Sequence, residues 1–222
     1  LYDVAESGSD TNSGDHPQDP YASITKALSV ATAGDTVHVF PGEYQEIFPM
    51  TIPVGVAIKG HSIRSVNISP TSGTNTNDAF LLNGETTVSD LTIKDFYNGY
   101  AFKFASNASV TSRSPYLKNI TVITKGKGVL ADGKDVASGS NEASMLFHSC
   151  TFITPGVDAA TFTNGVRIEW LNCFSYFANK GISAYDGTSS DGKYGDGKTR
   201  IRLSGISGTF TAGNTVTFTS TD

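Results

Sequence analysis

The sequence predicts an all-β chain: a right-handed parallel β-helix, a solenoid of short stacked strands, with a short N-terminal amphipathic capping helix. Three observations predict it. Short runs of alternating apolar and polar residues, the pattern of a half-buried strand, recur along the chain. The runs resemble one another at intervals that suit one solenoid coil. One segment near the N-terminus has helical spacing instead.

The first 19 residues are polar and rich in turn formers, with Tyr2 and Val4 the expected buried side chains. Pro20 breaks the chain ahead of the helix. Ile24, Ala27, Leu28 and Ala31 then fall on one helical face, with Ser23 as N-cap and Gly34 as the expected stop. A helix this short with one apolar face must cover something apolar, and the open end of a solenoid is the candidate. Val37 and Val39 alternate as a strand that Pro41-Gly42 turns sharply, and Val54–Gly60 reads as a second strand.

The strongest internal signal is a repeat. Val88–Ile93, Leu117–Val122, Phe147–Phe152 and Trp170–Ser175 superimpose, each with an apolar residue, a small polar residue two later and an apolar one beside it. Leu91, Ile120, Cys150 and Cys173 are separated by 29, 30 and 23 residues. A single coil cannot bury its few inward side chains, so stacking at about 4.8 Å must align these four into one interior column. Asp90, Asn119, Ser149 and Asn172 would form a second column at a bend, where short polar side chains bond to backbone. The Asn-Gly pairs at 83–84, 98–99 and 164–165 supply turns. Thr, Val, Ile and Phe at period two exclude a helical reading. The expected organisation is a cap with the first coils over 1–60, coils over 61–185, and an exposed loop leading into a further β-rich region over 186–222.

A formal net charge of −5, with no Lys/Arg run, argues against a nucleic-acid partner. No apolar stretch suits membrane insertion. The opening on Leu1 and the strand-like ending predict that the chain is part of a longer protein. The two cysteines read as buried reduced thiols in neighbouring coils, with a disulfide between them as the alternative.

The segments Gly8–Gly14, Pro20–Ile24, Ala27-Leu28, Ala33–Val37 and Pro41–Tyr44 resemble the N-terminal cap of pectin-lyase-like β-helix proteins. The resemblance covers roughly the first 60 residues. It implies the fold but not an activity, because that superfamily spans lyases, hydrolases, adhesins and phage tailspikes. Lys198–Arg202 and Gly208–Val216 look like segments of virion structural proteins of marine tailed phages.

Polysaccharide hydrolysis needs paired carboxylates, but the positions equivalent to Asp90 hold Asn119, Ser149 and Asn172. The acid, Gly-His-Gly and Arg-Ile-Lys motifs of a polygalacturonase-like site are missing, and Arg167-Ile168-Glu169 carries the wrong charge. No catalytic set, metal site or cofactor is therefore predicted. Asp90, Glu142 and Glu169 are the acids to which an enzyme reading would return, with Asp158 isolated. His16, His38, His61 and His148 are scattered, His148 pointing outward from a strand. The Asp-Gly-rich stretch 186–197 lacks calcium-loop spacing and contains Lys193, so it reads as an exposed excursion. Of three sequons, at Asn67, Asn107 and Asn119, the last belongs to the repeat itself. Tyr97, Tyr100, Tyr116, Tyr176 and Tyr185 lie at or near expected turns, where exposed aromatic rings can stack on sugars or seal a protein interface, and Tyr97, Tyr100, Tyr116 and Tyr185 are the candidate carbohydrate-binding residues.

The expected function is a non-enzymatic structural or receptor-binding module of a phage virion appendage. The resemblance implies a homotrimer that meets other virion proteins and a host-surface glycan. The alternatives are a polysaccharide depolymerase with acids between subunits, and a bacterial cell-surface or secreted glycan-binding adhesin.

Overall fold

The computed structural model describes residues 1–105, 108, 113–133, 144–164, 166–185 and 200–203 as a right-handed parallel β-helix. β1 (Tyr2–Val4) precedes α1 (Ile24–Val30). The next two coils hold β2 (Thr36–Val39), β3 (Gly42–Glu46) and β4 (Met50–Thr51), then β5 (Ala57–Gly60), β6 (Val66–Pro70) and β7 (Phe80–Leu81). β8 (Thr87–Lys94) with β9 (Tyr100–Phe104), and β10 (Tyr116–Ile123) with β11 (Lys127–Asp132), make two more. β12 (Ser144–His148), β13 (Thr151–Ile153) and β14 (Ala160–Thr163) follow. β15 (Arg167–Leu171), β16 (Phe174–Tyr176) and β17 (Ser183–Tyr185) come next, and β18 (Arg200–Leu203) stacks on β15.

Each strand pairs in parallel with its counterpart one coil on. The first limb runs β1-β2-β5-β8-β10-β12-β15-β18. The second limb, formed by β3, β6, the ends of β8 and β10, β13 and β16, belongs to the same sheet. The third is a separate sheet, β4-β7-β9-β11-β14-β17. The three limbs enclose a core in which Phe80 stacks on Phe102 with centroids 5.6 Å apart, and Trp170 meets Phe147, Phe152 and Phe162 at 4.9, 5.3 and 5.7 Å.

The bend between the first two limbs is the expected polar column. Asp90, Asn119, Ser149 and Asn172 have φ of 61°, 51°, 55° and 50°, a left-handed conformation that short polar residues tolerate best after glycine. Asn119 Nδ2 donates to Asp90 Oδ1 at 2.9 Å, and Asn172 Nδ2 to Ser149 Oγ at 3.2 Å. One coil earlier the same place holds Gly60, where a Cβ would lie 2.2 Å from the Asp90 carbonyl oxygen. On the inner side, Ile120 stands opposite Leu91 and Cys150 follows in the same column.

Several expectations need correction at the N-terminal end. The helix stops at Val30, and Ala31 is an extended C-cap whose N–H still reaches the Ala27 carbonyl. Gly34 (φ 93°) serves the following turn instead. Tyr2 is only half-buried, whereas Asp3 beside it is buried. The second strand begins at Ala57 rather than Val54, because Gly55 (φ 72°) turns the chain and the Val56 N–H closes onto the Pro53 carbonyl. The turn expected at Pro41-Gly42 is present, β2 ending at Val39 and Gly42 opening β3 opposite Val66. Of the Asn-Gly turns, Asn98 and Asn164 have positive φ, but at 83–84 that role passes to Glu85.

Two acids hold the start of the capping helix, Asp10 from within the cap and Glu46 from the solenoid. Asp10 Oδ1 accepts from the N–H groups of Ala22 and Ser23, and its Oδ2 from the Ser23 hydroxyl. Buried Glu46 accepts from the N–H groups of Ile24 and Thr25 at 2.6 and 3.1 Å and from the Thr25 hydroxyl at 2.6 Å. These first-turn donors have no partner inside the helix, so the carboxylate satisfies what would otherwise be buried and bare. Among the described residues no helix is long and apolar enough to cross a membrane.

Candidate functional site

Along the second limb side chains alternate, so two columns face outward on either side of each inward residue. One starts at Glu43 opposite Asn67, passes through Thr92, Thr121 and Thr151, and ends at Phe174. The other holds Lys94, Ile123, Ile153 and Tyr176. The early coils are ion-paired: Glu43 accepts from Asn67 Nδ2 at 2.9 Å and from Lys94 Nζ at 2.8 Å. In the later coils one column is apolar and aromatic, and the other turns from threonine to Phe174 in the last coil.

Ile123, Phe174, Tyr176 and Phe177 are 44%, 51%, 40% and 66% exposed, and Tyr97 on the adjoining turn is 42% exposed. Phe177 has φ 58°, a conformation costing a bulky residue on the order of 1–2 kcal/mol. It is held there by the Gly156 N–H, which donates to its carbonyl at 3.0 Å, while the Thr154 N–H donates to Tyr176 at 3.2 Å. Its ring stands 6.5 Å from that of Tyr176. Lysines accompany the tyrosines on this turn: Lys125 Nζ lies 5.8 Å from the Tyr97 ring centre and Lys127 Nζ 5.1 Å from that of Tyr100. Asp78 steadies this edge, accepting from the Tyr100 N–H and from Lys103 Nζ, both at 2.9 Å. Rings thus offer apolar faces and lysines offer charge on the same flank.

The structure brings together two of the four expected tyrosines. Tyr97 and half-buried Tyr100 share the turn edge. Tyr116 opens β10 on the first limb, between Thr87 and Leu146, away from that edge. Tyr185 ends β17, and its side chain lies outside the described residues. Sequence reasoning missed Phe174 and Phe177. A signal for Phe174 existed, because the residue after the interior column is Thr92, Thr121 and Thr151 in three coils and Phe174 in the fourth.

The candidate acids do not assemble. Asp90 sits in the bend column bonded to Asn119, and Glu169 lies on the first limb, 3.7 Å from Arg167. Asp158 accepts from Asn179 Nδ2 at 3.2 Å, and Glu142 lies outside the described residues. So do the Asp-Gly stretch 186–197, the Asn107 sequon residue and nearly all of the phage-like C-terminal stretch. Asn67 and Asn119 of the other sequons are engaged with Glu43 and Asp90. A cleft of about 150 Å³ on the first limb is lined by Ser114, Ser144, Met145, Leu146, Arg167 and Glu169. The two serine hydroxyls bond to each other there, and Arg167 lies 3.7 Å from Glu169. His38 pairs with buried Asp3 at 3.1 Å, its ring 6.4 Å from that of His61. Among the described residues no three metal-ligating side chains gather.

Burial pushes the Glu46 carboxyl above its ordinary value despite its three donors, and pushes the Tyr44 hydroxyl up to about 12. Tyr44 donates to the Phe40 carbonyl at 2.8 Å. The exposed Asp19 carboxyl is held below its ordinary value by the Ser13 N–H and hydroxyl.

No curated protein matches the chain. Among solved structures it is similar to the pectin methylesterase PemA from Erwinia chrysanthemi, at 15% identity over 76% of this chain and 54% of that one (TM-score 0.49). A rhamnogalacturonan lyase matches at 15% identity over 86% of this chain and 63% of that one, with the same TM-score of 0.49. A pectin methylesterase in complex with a hexasaccharide matches at 15% identity over 86% and 57% (TM-score 0.49). The chain thus spans 54% to 63% of the length of these structures. At the level of family, residues 6–169 match the model described as "Protein of unknown function (DUF1565)", and the chain belongs to that family.

Proposed function

We propose that the chain is a polysaccharide-binding solenoid whose ligand lies along the outer flank of the second limb and its adjoining turn. The observation that carries this reading is the gathering of Tyr97, Ile123, Phe174, Tyr176 and Phe177. These are five of the seven exposed large apolar side chains among the described residues. Exposed apolar side chains scattered singly need no explanation, but a contiguous patch marks a binding surface. Ring faces suit the CH faces of sugars, and Lys125 and Lys127 favour glycans that carry carboxylate or sulfate. A ligand running along the solenoid axis meets a new pair of side chains at every coil, about 4.8 Å apart. In this reading the chain is the glycan-recognising part of an extracellular appendage, a virion fibre or a surface adhesin, and it holds its ligand without cutting it.

An array of neutral and acidic bacterial and plant-wall polysaccharides tests this. Retention of one class, with no new reducing ends or unsaturated products, is expected. Chain shortening would move the reading to a depolymerase, and no retention at all would overturn it.

The same apolar flank favours a second reading, in which it seats another copy of this chain, as the expected trimer requires. Native mass spectrometry separates the two. A monomer that retains glycan supports the first reading, and a trimer that loses its association on Phe174→Ser and Phe177→Ser supports the second.

A further inference from the structure

The chain has two cysteines, and both occupy the same interior column in consecutive coils, following Leu91 and Ile120. In-register neighbours in a parallel sheet have Cα atoms about 4.8 Å apart, inside the ~4.4–6.8 Å range that a disulfide spans. The Cys173 sulfur already reaches the facing residue: the Cys150 backbone N–H donates to Cys173 Sγ at 3.4 Å. Each thiol also faces main-chain oxygens, Cys150 those of Leu117 and His148 at 3.5 and 3.6 Å, and Cys173 that of Leu171 at 3.3 Å. Both are free, Cys150 buried and Cys173 half-buried. An aliphatic residue would fill either place, as it does in the two preceding coils, so packing alone does not call for sulfur twice in succession.

We propose that Cys150 and Cys173 are a reversible oxidation site, closing under a hydroperoxide to a disulfide that staples two consecutive coils. Half-buried Cys173 is the attacking group. Its interaction with the Cys150 thiol and N–H holds it below its ordinary value, while that same pairing and burial push Cys150 up. The Cys173 thiolate attacks one peroxide oxygen, the S–O bond forms as the O–O bond breaks, and the departing hydroxide leaves as water after taking a proton. Cys173 is then a sulfenic acid, oxidised by two electrons while the peroxide is reduced. Cys150 Sγ attacks Cys173 Sγ, the S–S bond replaces the S–O bond, and the Cys150 proton leaves with the hydroxyl as a second water. Two thiols and one hydrogen peroxide thus give one disulfide and two waters, and a dithiol reductant restores the thiols by exchange.

The test is stoichiometric hydrogen peroxide on the purified chain, followed by alkylation and intact-mass measurement. The expected product has lost two hydrogens, takes up no alkylating agent, remains monomeric and returns to two alkylatable thiols with dithiothreitol. Closing the short loop between the cysteines should raise the midpoint of thermal unfolding by roughly 5–10 °C. With Cys150→Ser, Cys173 should be trapped by a sulfenic-acid reagent; with Cys173→Ser, Cys150 should stay unreacted. Two alkylatable thiols after peroxide, oxygen addition without bond formation, or cross-linking only between molecules would each overturn the proposal. The wild-type mass decides this even if neither variant folds.

Discussion

The outward face of the second limb differs between its early and late coils, although the backbone beneath it does not. In the early coils Glu43, Asn67 and Lys94 are bonded to one another across the columns. In the late coils one column carries Ile123, Ile153 and Tyr176, and the other runs from Thr121 and Thr151 to Phe174, with Ile123 and the two rings standing partly in solvent. Inward residues continue through both halves as one buried series, Tyr44, Ile68, Ile93, Val122 and Phe152. A parallel β-helix fixes what points in and leaves what points out to be chosen for other reasons. The change from ion pairs to rings along this limb is the feature on which the proposed glycan-binding role rests.

Substitutions on the two sides of this backbone should separate stability from binding. The largest effect is expected inside: Phe152→Ala, which removes a ring stacked on Trp170, should cost about 3–5 kcal/mol in denaturant unfolding. Glu46→Ala, which strands two helix N–H groups and a hydroxyl, should cost about 2 kcal/mol. At the bend, Asn119→Val forces a β-branched residue to positive φ and should cost about 1–2 kcal/mol, whereas Asn119→Gly should cost well under 1 kcal/mol. Outside, Glu43→Ala in the early coils and Tyr176→Ser in the late coils should each stay within about 0.5 kcal/mol. Phe177→Gly should be neutral or stabilising, because it relieves a strained φ. An outward aromatic substitution that costs as much as Phe152→Ala would break the distinction.

Glu46 adds a pH signature. Its folded value is raised above the unfolded one, so the native state binds more protons between the two. Stability from this group is full below the ordinary carboxyl value and declines as pH rises through the window up to the raised value. Unfolding midpoints measured across mildly acidic pH should show this decline, and Glu46→Gln should flatten it.

The columns were legible in the sequence because a solenoid repeats its own constraints. Leu91, Ile120, Cys150 and Cys173 recur at coil intervals, and the polar residue before each is the kind that tolerates a left-handed bend. The N-cap at Ser23 was legible for the same local reason, and its side chain accepts from the Lys26 N–H. Contacts between distant segments were not. Glu46 reads locally as one more acid after a strand, and only the fold places it under the helix 22 residues earlier. Tyr116 reads like Tyr97, but the bend sends them to different limbs. Phe177 was hidden because nothing local announces an aromatic residue at positive φ.

The most direct measurement is affinity electrophoresis through gels cast with neutral or acidic polysaccharides, comparing the native chain with a Phe174→Ser, Tyr176→Ser, Phe177→Ser triple variant of unchanged unfolding midpoint. Retardation of the native chain by one class of polysaccharide, lost in the variant and weakened by Lys125→Ala and Lys127→Ala when that class is acidic, is the expected result. Equal retardation of the native chain and the triple variant, or migration of the native chain unaffected by every gel, would contradict a ligand-binding role for the aromatic flank.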